Sequence, residues 1–205
     1  MKMKCWPLLA FVLITPAYAA THTANHVAAD PQVSAKEKVA EFLVWERQIK
    51  PSGIYQADLG GVLPTIVSDE LLCLLNAASA AREIATREAP DEKPPFVEGN
   101  PFLPNAWDHL IGSEILSSNA VAGNRERTVV KVRFTFGEPG ADASGIYHDT
   151  SAYLVTAEPQ GARITDIDAG GSCDFCQSGS LRAAIYETLT AYPAAGGEQC
   201  KGLGK

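Results

Sequence analysis

Chemistry in this chain has to come from a small set of side chains. Cys173 and Cys176 stand three apart in "GGSCDFCQSGSLRAAIYETL", just ahead of an apparent helix. Such a pair acts as a redox dithiol when the first cysteine opens the helix, whose N-terminus lowers the thiol pKa. Here it follows Gly170 and Gly171, and the helix begins several residues later. Zinc wants four ligands in a recognisable spacing, and Cys73, Cys200 or the His22 and His26 pair do not complete one. No metal or cofactor is expected. Structural disulfides are the simpler reading, with Cys173–Cys176 closing its own loop and Cys73–Cys200 tying the tail to a helix; Cys73 with Cys173 or Cys176 is the rival connectivity.

A second constellation is acid–base in type. Asp108 and His109 follow Trp107 in a loop before the strands, and Tyr153 lies in a strand. A carboxylate or imidazole in an apolar pocket can shuttle a proton while a tyrosine donates to a developing oxyanion. Asp108 as base, His109 as partner and Tyr153 as donor is the catalytic version. In the plainer version Asp108 caps a turn, His109 is on the surface and Tyr153 is half-buried in a sheet. Asp166, between Thr165 and Ile167, faces either a cavity or Arg133 and Lys131 across the wet face of a sheet. No phosphate-binding glycine loop, serine nucleophile elbow or HExxH motif occurs.

The compartment limits what these groups can do. The chain opens "MKMKCWPLLAFVLITPAYAA", two lysines ahead of a short apolar run and then Ala17-Tyr18-Ala19. That is the pattern of a secretory signal peptide over residues 1–19, cleaved after Ala19. The run is shorter than the roughly 20 apolar residues of a membrane span, so a periplasmic, disulfide-permissive setting is expected. Loss of Lys2 and Lys4 makes the formal charge of −7 more negative still. Acidity of this kind argues against nucleic acid or an anionic membrane as the main partner.

The elements that must position these residues can be read in order. Residues 20–33 are small and polar, a flexible leader. "SAKE" places Ser34 and Glu37 as a capping box, opening a helix with Val39, Phe42, Leu43 and Ile49 at helical spacing and a stop at Pro51 and Gly53. A second helix starts at Ser68, with Asp69 and Glu70 in its first turn, and runs to Glu88. Its stripe of Leu71, Leu74, Leu75, Ala78, Ala81 and Ala85 leaves Cys73 on nearly the opposite face. Pro90, Pro94, Pro95, Pro101 and Pro104 then exclude regular structure, yet Phe96, Phe102, Leu103 and Trp107 are too apolar for a linker. An ordered loop packed on the domain is expected.

The second half reads as strands. "TVVKVRFTF", Thr128 to Phe136, alternates with Val130, Val132, Phe134 and Phe136 on one face. A weaker strand is expected over 114–121, and strands over 151–158 and 162–167 follow, joined through Pro159-Gln160-Gly161 as a hairpin. His148-Asp149 reads as a solvated turn. Ser180 caps a final helix with Leu181, Ile185, Thr188 and Tyr192 on one face, before a glycine-rich tail carrying Cys200.

"PFLPNAWD", "ARITDIDAGG" and "SGSLRAAIYETL" resemble an uncharacterised family of secreted bacterial proteins and lipoproteins in the nuclear transport factor 2-like superfamily. The resemblance spans about residues 33 to 192. It implies an α+β fold, a curved antiparallel sheet wrapped on N-terminal helices as a cone with a mouth at one end. Members include isomerases, dehydratases, small-molecule binders and structural adaptors, so fold alone names no function. The expectation is one α+β domain over residues 34–192 with a disulfide-tied tail over 193–205. It would bind a protein partner or a small apolar ligand without catalysis. An inhibitor or immunity protein is one concrete version, with Phe96, Phe102 and Trp107 as the contact surface. The competing classes are a cone-cavity isomerase or dehydratase using Asp108, His109 and Tyr153, and a structural envelope subunit, with a homodimer one candidate assembly.

Overall fold

The structure, a computed structural model, describes residues 30–138, 140, 143–170 and 179–204. The signal-peptide segment, His22, His26 and the Cys173–Cys176 pair lie outside the described residues. The first helix, α1 (Pro31–Ile49), begins three residues before Ser34. Asp30 caps it instead, accepting from the Gln32 N–H at 2.9 Å, and Pro31 occupies the first turn, where its missing N–H costs nothing. Ala35, Val39, Phe42, Leu43 and Glu46 form the buried stripe, together with Trp45, while Ile49 is exposed. Lys50 ends the helix in the left-handed region, its N–H bonded to the Glu46 carbonyl at 2.7 Å.

A short helix α2 (Leu63–Ile66) leads into α3 (Asp69–Glu88). Ser68 caps α3 through the Leu71 N–H, with Asp69 and Glu70 in the first turn, as the sequence predicts. Leu71, Leu74, Leu75, Ala78 and Ala81 are fully buried.

Four strands follow: β1 (Leu110–Val121), β2 (Asn124–Phe136), β3 (Tyr147–Glu158) and β4 (Gly161–Asp168). They pair antiparallel in the order β1-β2-β3-β4, a simple meander. Strands β1 and β3 start four residues earlier than the alternation alone indicates, so His148 and Asp149 belong to β3 and not to a turn. Val130, Val132, Phe134 and Phe136 point inward and are fully buried, each contributing about 1.5–3 kcal/mol over an exposed position. Arg133 faces the other side and pairs with Glu114, its register neighbour on β1. The final helix, α4 (Leu181–Leu189), is capped by Ser180, as predicted.

Helix α1 crosses all four strands, and α3 and α4 pack on each other and against β4. The space between is filled by aromatic rings: Phe42 sits 5.6 Å from Phe102 and 5.7 Å from Tyr153, and Trp45 sits 5.4 Å from Phe102. The proline-rich segment is therefore part of the core. Its anchor is Phe96, held at φ 54° with its carbonyl accepting from Ile54 at 2.9 Å. Gly53 makes that approach possible, since a Cβ there would fall 2.6 Å from the same carbonyl oxygen.

Candidate functional site

The end of α1, the proline-rich loop and the start of β1 line an open cavity of about 560 Å³. Arg47, Lys50 and Pro51 line one side, Leu103, Ala106 and Trp107 another, and His109, Leu110 and Glu138 the rim. Glu46 contributes to the lining although only 3% exposed. Its place follows from the helical repeat: it falls one turn beyond Phe42 on the face that meets the sheet.

The carboxyl of Glu46 is half satisfied. Asn100 donates from Nδ2 to Oε1 at 2.8 Å, tying α1 to the loop, while Oε2 has no hydrogen-bond partner among the described residues. Burial raises the Glu46 pKa above its ordinary value; the Asn100 hydrogen bond and the Arg47 and Lys50 charges oppose this without cancelling it. Tyr153 stands close enough for Glu46 to act on it. Burial first, and then the Glu46 charge, push its phenol strongly upward. The Tyr153 hydroxyl also lacks a partner among the described residues, as does that of Ser151, two residues away on the same face of β3.

A buried carboxylate elsewhere shows the contrast. Glu70 is 7% exposed, but Tyr186 donates to it at 3.0 Å and Arg182 approaches to 3.4 Å. The Tyr186 phenol is pushed up to about 12, by desolvation and then by Glu70. Glu70 is a satisfied structural group; Glu46 is not.

The Asp108, His109 and Tyr153 constellation does not converge. Asp108 and His109 are exposed at the rim, whereas Tyr153 is fully buried in the aromatic core and not half-buried. Asp108 takes a different tyrosine: Tyr147 donates to its Oδ2, and Asn105 donates to the same oxygen at 3.0 Å. The Tyr147 phenol is pushed up to about 12, first by desolvation and then by this carboxylate. Asp166 neither enters a cavity nor meets Arg133 or Lys131. Its carboxylate accepts from the Ser180 hydroxyl at 2.5 Å, the Arg182 N–H at 3.0 Å and its own neighbour Ile167 at 2.8 Å, so it fastens the start of α4 to β4.

Of the three expected contact aromatics, Phe96 and Phe102 are buried, because the loop closes the core instead of displaying its rings. Trp107 is 57% exposed. It lies between the 560 Å³ cavity and a second groove of about 380 Å³ that runs past Lys93, Pro94 and Thr188. Cys73 and Cys200 form a disulfide with Cα atoms 5.5 Å apart, joining α3 to the tail. Among the described residues no group of three or more His, Cys, Asp or Glu could hold a metal ion. No helix among them is long and apolar enough to cross a membrane.

No protein-family model matches the chain, and no curated protein or solved structure shows significant similarity to it.

Proposed function

We propose that this chain is a binding protein of the envelope space that holds a small, largely apolar ligand in the cavity between the end of α1 and the proline-rich loop. The carrying observation is the buried Glu46 carboxyl, whose Oε2 has no partner among the described residues, on the lining of a cavity that also takes in Leu103, Ala106, Trp107 and Leu110. A few hundred cubic ångströms is the ordinary size of a small-molecule site, and here the apolar Leu103, Ala106, Trp107 and Leu110 share the lining with charged groups. The Cys73–Cys200 bond favours an oxidising compartment, in keeping with the signal-peptide reading of residues 1–19. The order of helices, loop and antiparallel meander supports a nuclear transport factor 2-like fold, in which this cavity would be the mouth of the cone.

Two other readings lose ground. An inhibitor or immunity protein needs a displayed apolar patch, and two of its three aromatics are inside the core. An isomerase or dehydratase built on Asp108, His109 and Tyr153 needs those groups at one reacting atom, and Tyr153 is sealed away from the rim.

The test is a titration with N-phenyl-1-naphthylamine, a neutral apolar fluorophore. The wild-type chain should enhance its emission saturably, and Ala106→Trp, which fills the cavity, should abolish the enhancement. Equal enhancement by the variant would place the dye elsewhere and remove the support for this pocket.

A further inference from the structure

Resting on that ligand pocket, we infer that the natural ligand carries a primary ammonium group, received by Glu46 at the cavity floor while its apolar body lies against Trp107. Among the described residues, Glu46 Oε2 on the lining has no partner, and neither does the hydroxyl of Tyr153, which the Glu46 charge reaches. An ionised Glu46 Oε2 can only accept, and a primary ammonium brings three N–H donors to it where a hydroxyl brings one and a carboxylate none. Rotation of Glu46 and of the half-buried Asn100 beside it exposes Oε2 to a ligand, a side-chain adjustment ordinary on binding.

Charge on the lining agrees. Arg47 and Lys50 come from the end of α1, Asp108 and His109 from the loop, Glu138 from beyond β2, and Tyr153 lies beneath on β3. Three carboxylates thus meet two cations. Arg47 is turned back onto its own helix, its Nε donating to the Leu43 carbonyl at 3.2 Å, and Lys50 is exposed. Of the carboxylates only Glu46 is buried, where a charge acts through a lower dielectric. Trp107 also has the surface such a ligand needs. It is 57% exposed on the same lining as Glu46, an indole face for the apolar body to lie on.

Isothermal titration calorimetry of the chain with 2-phenylethylammonium, neutral 2-phenylethanol and anionic 3-phenylpropanoate tests this. The ammonium should bind about tenfold more tightly than the alcohol, the factor expected of one charge-assisted hydrogen bond. Glu46→Gln, of the same shape, should erase that preference, and Trp107→Ala, at an exposed position, should weaken the ammonium. In the unmodified protein the ammonium affinity should fall as pH drops through the raised Glu46 pKa, because the ligand stays protonated while its acceptor is neutralised. Equal or tighter binding of the alcohol or the propanoate, lost in Ala106→Trp, would overturn the ammonium assignment and leave the pocket standing. Binding of none of the three would overturn the ammonium assignment, and with no dye binding the pocket falls as well.

Discussion

Glu46 occupies the turn of α1 where the repeat of Ala35, Val39, Phe42 and Leu43 asks for an apolar side chain. Its folded-state pKa is raised from 4.5 by burial, so the fold binds this proton more tightly than the unfolded chain does. The sign follows. The cost is absent below the unfolded value and fully present above the folded one, so this group withdraws stability as pH rises between them. Glu46→Gln should therefore gain stability relative to wild type with increasing pH, read as the difference in urea midpoints at pH 4 and pH 8. A constant difference would mean that the carboxyl is solvated. Tyr153→Phe removes a buried hydroxyl that has no partner among the described residues, and should leave stability unchanged or raise it by about 1 kcal/mol. A loss of several kcal/mol would show a hydrogen bond in place of a free hydroxyl. Glu46 is not among the residues singled out from the sequence, although it is a charge breaking the apolar stripe of α1. What the stripe does not tell is whether such a residue curls to the surface or, as here, is trapped by Asn100 from a loop 54 residues away.

At the scale of elements, the caps were the most readable features. Ser68 and Ser180 each stand one residue before a helix and accept from its third N–H, a local arrangement that needs no tertiary contact. Ser34 failed because a stronger pair, Asp30 followed by Pro31, lies just upstream. The alternation in 128–136 fixed the inner face of β2 correctly, but strand ends were set by pairing. β3 reaches back to Tyr147 because Phe136 opposite it offers a partner and a ring stacked at 5.4 Å. Asp166 belongs to this scale too, since its role depends on α4 returning to β4. Asp166→Ala removes three acceptor bonds and should cost about 1–3 kcal/mol in urea unfolding. Loss should appear first as faster amide exchange in α4, and unchanged exchange there would deny Asp166 this fastening role.

For the whole molecule, the Cys73–Cys200 bond joins residues 127 apart in sequence and holds the tail on the back of α3. The tail is packed as well as tethered: a Cβ on Gly197 would fall 2.5 Å from Leu189 Cδ1. Replacing both cysteines with alanine should lower stability by about 2–5 kcal/mol through the freed unfolded chain, and reduction of the wild type should give the same shift. The expectation of an oxidising compartment and Cys73's position off the core stripe made this pair legible. The ligand cavity was not, because its walls come from three segments that only the packed loop brings together.

The pocket is tested most directly by amide chemical-shift mapping of the labelled chain titrated with 2-phenylethylammonium. A ligand site at the end of α1 predicts saturable shifts confined to residues 46–51, 103–110 and 138. Shifts centred on the Lys93–Thr188 groove, or none at millimolar ligand, would contradict it.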